Sequence, residues 1–388
     1  MSKLHCFLLL FFPIVLFAED GWNEQTSGIS DNINSIYFFN ASSGFAAGNN
    51  GQLIETTDGG ANWSAGSVTS LSNFQKIYFK NSTDGYLLTQ DGKLHTTSNS
   101  GNSWSVQTLD IHGLNGIHFN GNNGVIVGDD GNVFTSTDGT SWTKQSSLGV
   151  FTINDVVFFN DTIVVAVGAG GELHRSINKG LTWNPVSHGI TNTLSAIKKL
   201  NNETVLIAGN KGTMLEYEPI SGIIKPVAVG LSSAWLKGIS CNEVDVCHVV
   251  GSGSTVLIKN VDTWVTRNLD DVVNLNAVQF INEHLGFVAG ISGVIYQHDK
   301  AGFPNSFTPV EEDQIKIYPI PVEQHLTIEH STLTNAKISI TNAVGQLVYF
   351  SKANSAKKVI NTSLFLEGVY FIHITRNGSL LSSKFIKK

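Results

Sequence analysis

Short apolar runs recur along the chain, separated by Gly, Asn, Asp and Ser. One series of β-rich starts falls at Ile36, Ile77, Ile117, Val156, Ile197, Ile239 and Val278. A second series is made of tight turns at Gly48–Gly51, Thr89–Gly92, Gly128–Gly131, Gly168–Gly171, Gly209–Gly212, Gly251–Ser254 and Gly290–Gly293, spaced 39–42 residues apart. A third is tryptophan, at 22, 63, 104, 142, 183 and 264, with Trp235 off the repeat. Within a unit the pattern predicts four strands, which in the first are 36–40, 45–48, 51–57 and 63–68. Four-stranded units with a period of about 40–45 residues are the pattern of a β-propeller. Each phase marks seven units. The last lacks a clear fourth strand, and the stretch at Trp22 has none of the other three, so Trp22 is expected to complete the seventh blade and close the ring. After residue 303 the repeat stops and strands alternate as in a small sandwich. The fold class is therefore all-β: a seven-bladed β-propeller over 19–303, a linker over 304–312 and a small C-terminal β-sandwich over 313–388.

Composition supports this and narrows the chemistry. The chain of 388 residues is 41% hydrophobic and 14% charged, with 38 Gly and only 2 Met, which suits many short strands better than helices. Residues 313–388 carry a net charge of +5 and residues 19–312 a net of −13. An acidic body repels phosphate backbones, so nucleic acid is excluded as a partner. Lys3, the apolar run Cys6–Phe17 and Ala18 read as a signal peptide over 1–18, too short to span a membrane. An exported protein permits a disulfide, and Cys241 and Cys247 are spaced for a bridge across a turn between paired strands; two buried thiols are the alternative. Nothing in the repeat pattern suggests more than a monomer.

The turns before the tryptophans carry a resemblance. Thr56-Thr-Asp58-Gly-Gly60-Ala-Asn-Trp63, Thr97-Ser-Asn99-Ser-Gly101-Asn-Ser-Trp104 and Ser176-Ile-Asn178-Lys-Gly180-Leu-Thr-Trp183 resemble the Asp-box, or BNR repeat, S/T-x-D-x-G-x-x-W. Asp138-Gly139-Thr-Ser-Trp142 is a shifted version, and the later units are degenerate. The box is a structural device: its acid or amide accepts backbone N–H bonds, its Gly permits positive φ and its Trp packs between blades. On this unit, over roughly 22–300, the chain resembles the seven-bladed propellers of photosystem II assembly factors and their bacterial relatives. That resemblance implies the fold and not the photosynthetic role.

The tail carries a second resemblance. Ile317-Tyr318-Pro319-Ile320-Pro321-Val322, Leu326-Thr-Ile328, the run Ile338–Val348 with Gly345, Gly368-Val-Tyr370-Phe-Ile-His-Ile374 and the basic end Lys384–Lys388 resemble the C-terminal sorting domain of type IX secretion cargo, with Ile320 where Asn is usual. The resemblance implies export across both membranes of a Gram-negative cell with the type IX machinery as partner. It also implies removal of the tail, leaving the propeller free or held at the surface.

Candidate chemistry is sparse. Sialidases share the Asp-box but need an arginine triad, and residues 19–312 hold only Arg175 and Arg267. A glycosidase or lyase needs opposed carboxylates. Asp91, Asp129 and Asp130 are expected at turns on the ligand-side rim, and Asp155, Asp270 and Asp271 in interblade loops; all read more readily as turn formers and solvated charges. No catalytic, cofactor or metal motif is present, and no cofactor is expected. Alignment of the blades yields two rings. Ile33, Phe74, Leu114, Ile153, Leu194, Leu236 and Leu275 stand three residues ahead of the expected first strands and read as core. The next position, Asn34, Gln75, Asn115, Asn154, Ser195, Lys237 and Asn276, is polar throughout and is expected at the channel mouth. With Trp235 in a loop on the same face, these residues are the candidate site for a protein or glycan ligand, against the alternatives of water-filled packing and, for Trp235, a role in the core.

Overall fold

In the computed structural model, the structure describes residues 21–299 and 316–388 apart from 69, 110, 242–245, 261–262, 270–271, 283–284, 330–332, 335, 343–346 and 377–378. The expected signal peptide and linker, and Gly345, Asp270 and Asp271, lie outside the described residues. The chain divides into two compact units, residues 1–303 and 304–388.

The described residues of the first unit form seven four-stranded antiparallel sheets. Their inner strands are Ile33–Phe38, Phe74–Phe79, Leu114–Asn120, Ile153–Phe158, Leu194–Lys199, Leu236–Cys241 and Leu275–Phe280, numbered here as blades 1 to 7. Each inner strand packs beside the next, and that of blade 7 beside that of blade 1, so the ring closes. Trp22–Gln25 pairs antiparallel with Ile295–Asp299 as the fourth strand of blade 7, with Trp22 opposite His298 and Gln25 opposite Ile295.

Second strands such as Val164–Gly168 are buried along their whole length, because a blade is covered on both faces by its neighbours. This explains their continuous apolar runs. The spacing of Phe and Gly has an equally local cause. A Cβ added to Gly44 would lie 2.6 Å from the ring of Phe38, and Gly85 faces Phe79, Gly124 Phe119 and Gly286 Phe280 in the same way. The residue opposite the aromatic must therefore lack a side chain. Between the second and third strands, Gly51 at φ 69° would drive a Cβ to 1.9 Å from the Ser70 carbonyl oxygen, so only Gly fits there.

Two expected boundaries are corrected. The inner strands begin three residues earlier than the periodicity suggested, because each carries a bulge: in blade 1, Ile33 pairs with Gly48 and Ser35 with Ala47, skipping Asn34. The outer strand of blade 1 is Ser64–Ala65 rather than 63–68. The core ring from Ile33 to Leu275 is buried at every position. Cys241 and Cys247 face each other at the end of the blade 6 hairpin and are joined by a disulfide.

The turns before the tryptophans are held by local side-chain hydrogen bonds. Gly60 N–H donates to Thr56 Oγ1 (2.9 Å) and Asn62 N–H to Asp58 Oδ1 (2.9 Å). Gly101 and Gly180 repeat the first bond with Thr97 and Ser176, and Ser103 and Thr182 the second with Asn99 and Asn178. In the shifted turn, Asp138 accepts from the N–H groups of Thr140 and Ser141, and Gly139 N–H donates to Ser136 Oγ. Trp63, Trp104 and Trp142 then meet Phe38, Phe79 and Phe119 edge to face, while Trp183 packs against the core of blades 3 and 4.

The second unit has a three-stranded sheet (Lys316–Tyr318, His325–Glu329, Lys357–Asn361) and a four-stranded sheet ordered Leu347–Lys352, Lys337–Asn342, Gly368–Arg376, Ser379–Lys387. One apolar cluster joins them, with Leu326, Ile328 and Ile360 from the first sheet and Ile338, Ile340, Tyr370, Ile372, Ile374 and Phe385 from the second. This is a sandwich. Among the described residues no helix is long and apolar enough to cross a membrane.

Candidate ligand channel

The seven inner strands enclose an axial cavity of about 480 Å³. The bulge turns the second residue of each inner strand into the lumen, so Asn34, Gln75, Asn115, Asn154, Ser195, Lys237 and Asn276 all line it, with Trp235 beside them. Four of these amides are spent on the scaffold. Asn34, Asn115, Asn154 and Asn276 each donate through Nδ2 to the first carbonyl of the next blade: Phe74, Ile153, Leu194 and Ile33, at 2.8–3.1 Å. An inner strand has a free edge toward the lumen, and these side chains satisfy its orphan carbonyls.

The other members differ. Trp235 is 44% exposed. Its Nε1–H donates to Ser195 Oγ (2.7 Å), and Lys237 Nζ stands 5.1 Å from its ring centroid while donating to Asn276 Oδ1 (2.8 Å). Burial pushes the Lys237 ammonium below the usual lysine range. The indole is thus oriented by one hydrogen bond and one cation–π contact, with its remaining surface open.

A second set of lumen groups, Asp155 apart, was not singled out by sequence reasoning. At the third and fifth positions of the inner strands stand Lys76, Asp155, His118, Lys198, Tyr78 and Gln279. Asp155 therefore belongs to the inner strand of blade 4, not to an interblade loop. It pairs with Lys76 Nζ (3.4 Å) and accepts from Ile197 N–H (3.2 Å). Burial, reinforced by Lys198 and Lys76, pushes His118 down to about 3, so its ring is neutral. Burial pushes the Tyr78 phenol up to about 12.

The rim acids are occupied. Asp129 Oδ1 accepts from Asn115 Nδ2 and Thr152 Oγ1, both at 3.1 Å, and Asp91 accepts from Thr89 Oγ1 and Lys93 Nζ. Asp130 sits at φ 52° in the turn beside Asp129. Among the described residues lining the cavity, Asp155 is the single carboxylate, and no group of three or more His, Cys, Asp or Glu is arranged to hold a metal ion. Arg175 Nη1 donates to the Pro219 carbonyl oxygen.

In the tail, the motif residues divide into surface and core. Tyr318 is exposed, its hydroxyl bonded to Glu329 (2.6 Å) and Lys357 Nζ (3.1 Å). The peptide bonds before Pro319 and Pro321 are cis. Tyr370 is buried and donates to the Leu366 carbonyl oxygen (2.8 Å), while Gly368 opens its strand opposite Lys387. Val322 N–H bonds to the Ile386 carbonyl and Lys388 N–H to the Val322 carbonyl, pinning the basic end against the first motif.

Residues 316–388 match the secretion system C-terminal sorting domain. The sorting domain marks the chain for export through the type IX system to the cell surface or the extracellular space, with that machinery as a partner. No curated protein matches the chain. Solved structures similar to it include YCF48 bound to D1 peptide, which is 18% identical with a TM-score of 0.59 over 72% of this chain and 97% of that one. YCF48 from Cyanidioschyzon merolae is 15% identical (TM-score 0.60, 72% and 99%), and a streptogramin B lyase 11% identical (TM-score 0.64, 71% and 96%). At these identities the likeness is one of fold: the part of the chain ahead of the sorting domain is a β-propeller.

Proposed function

We propose that this is an exported, non-catalytic propeller that binds an extracellular protein or glycan through the channel mouth at Trp235, its sorting domain being removed on secretion. The observation carrying this reading is the rim itself: a half-exposed indole held by Ser195 and Lys237 over a polar cavity. An oriented aromatic at the edge of a concave polar site is the common form of a binding anchor. That a propeller of similar fold is described as bound to a D1 peptide supports a peptide as one ligand class.

The competing reading is a hydrolase or lyase acting through carboxylates on this face, and the name of one structural neighbour gives it a place. Asp91, Asp129 and Asp155 are each tied to neighbouring donors, and among the described residues the cavity wall offers no second acid to face Asp155. Peptide and glycan arrays probed with the secreted protein, with reducing-sugar release measured on the glycan hits, separate the two. We expect binding without turnover, weakened at least tenfold by Trp235→Ala at unchanged melting temperature. Turnover abolished by Asp129→Asn but not by Asp58→Asn overturns the proposal.

A further inference from the structure

Inner strands leave backbone groups facing the lumen, and at six of the seven seams the neighbouring blade supplies a side chain that bonds them among the described residues. At the blade 1–2 seam Ser35 Oγ accepts from Ile77 N–H, and at 2–3 Tyr78 Oη accepts from Phe119 N–H. At 3–4 His118 Nδ1 accepts from Phe158 N–H, and at 4–5 Asp155 accepts from Ile197 N–H. At 6–7 Ser240 Oγ accepts from Phe280 N–H, and at 7–1 Gln279 bonds both backbone groups of Phe38. The blade 5–6 seam alone has no such bond among the described residues. The residue standing there is Lys198, which lines the lumen and has neither a hydrogen-bond acceptor nor an ion-pair partner among them.

An ammonium cannot accept a backbone N–H, so Lys198 is no substitute for the Tyr, His, Ser or Gln found at this position in other blades. Its charge is a cost to the fold that the seam does not use. Lys76 lies close enough to repel it, and the carboxylate shared between them, Asp155, already bonds Lys76 and Ile197 N–H. His118 faces the same space; because its Nδ1 accepts a backbone N–H, the neutral ring carries its proton on Nε2. Deep to the rim, Lys198 and Lys76 against the one acid Asp155 leave one net positive charge, to which Lys237 at the mouth adds another, inside a body that is otherwise strongly acidic.

We infer that the channel holds a carboxylate site built on the Nζ groups of Lys198 and Lys76, deep to the mouth, which seats the acidic end of a slender ligand. This rests on the reading of the Trp235 rim as the entrance. The lysines sit one to three residues along the inner strands from the amide ring, within about 10 Å at the usual strand rise. A hairpin loop would need two chains abreast in a cavity of about 480 Å³, so the group that reaches them is a small free acid or a chain end. Two ammonium groups flanking one carboxylate supply charge-assisted hydrogen bonds away from bulk water, where such bonds are strongest.

The test uses the secreted protein with succinate and with tetra-alanine carrying a free or an amidated carboxyl terminus, by titration calorimetry and by NMR of ¹⁵N-labelled lysine side chains. We expect succinate or the free-acid peptide to bind with a shift of the Lys198 resonance, and the amidated peptide to bind at least tenfold more weakly. Succinate alone identifies a free acid as the ligand, and both together a chain end. Lys198→Met weakens the acid probes at least tenfold without lowering the melting temperature, and Lys198→Arg retains them. Equal binding by the amidated peptide, unchanged binding to Lys198→Met, or no binding of either acid at millimolar concentration overturns the inference. Should the acids fail while array ligands still require Trp235, the carboxylate site falls and the mouth stands. Should the acids bind while Trp235→Ala leaves array ligands untouched, the mouth falls alone.

Discussion

Replacing Gln279 by Ala tests how the ring is held shut. Gln279 Oε1 accepts from Phe38 N–H at 2.7 Å and its Nε2 donates to the Phe38 carbonyl at 2.9 Å, joining blade 7 to blade 1. Phe38 is 2% exposed, so its backbone groups depend on this one amide. A hydrogen bond contributes a net of about 0.5–1.5 kcal/mol, and a buried group left unpaired costs about 1–3 kcal/mol. Gln279 lines the lumen, and water can follow an alanine into the space, which favours the lower figure for each bond. Two bonds then give a loss of about 2 kcal/mol. Urea melts followed by tryptophan fluorescence on the secreted protein read this as a lower midpoint at unchanged slope. Gln75→Ala is the control, since Gln75 lines the same lumen but makes no hydrogen bond among the described residues; it should stay within about 0.5 kcal/mol of the parent. If Gln279→Ala melts with Gln75→Ala, the side-chain seams are incidental to stability and the account of the lumen given above is wrong.

Two further outcomes follow from the same geometry. His118, held near 3 chiefly by burial, refuses a proton that the unfolded chain accepts below about 6.5, so stability should fall as pH drops from 6.5 toward 3 and stay level above. Between pH 5 and 6.5 the carboxylates lowered by their hydrogen bonds, such as Asp58 and Asp84, remain ionised in both states and add no slope. There His118→Gln should flatten urea midpoints measured against pH, leaving the smaller share of His95, which burial also lowers. Reducing the Cys241–Cys247 bridge, whose loop spans a sequence separation of 6, should cost about 2 kcal/mol on the chain-entropy estimate, read from melts with and without reductant. A change below about 0.5 kcal/mol would mean that the hairpin holds that loop closed without the bond.

The repeat was legible because its cause is local and recurs. Phe38 requires Gly44, and Thr56, Asp58 and Gly60 make one turn, so the same letters return in successive blades. The strand starts were misread where geometry departs from alternation. In Ile33–Phe38 the buried positions are 33, 35, 36 and 38, a pattern imposed by the bulge at Asn34 that period-two reading cannot follow. The polar ring was legible as a ring. Its main role was not, because an Asn that caps the next blade's carbonyl and an Asn that binds a ligand look the same in sequence. Lys76, Lys198 and His118 escaped notice for the opposite reason, and Asp155 was seen only as a loop acid. The fifth strand position runs Tyr, Tyr, His, Val, Lys, Ser, Gln around the ring and the third runs Ser, Lys, Gly, Asp, Ala, Gly, Ala, with no shared chemistry to mark either, and only the closed structure brings these residues face to face.

The pairing of Trp22–Gln25 with Ile295–Asp299 also sets an order of events. The partners are about 270 residues apart along the chain, so the first strand of the propeller has nothing to pair with until the last blade has been made. Six blades can assemble from neighbouring sequence as they appear, but the seventh needs both ends of the repeat at once. Contacts of such long separation form slowly. Before that blade closes, the folding chain is an open arc with an unpaired edge at each end, the form most prone to join another copy. Its safety from misassembly depends on how fast that last blade closes.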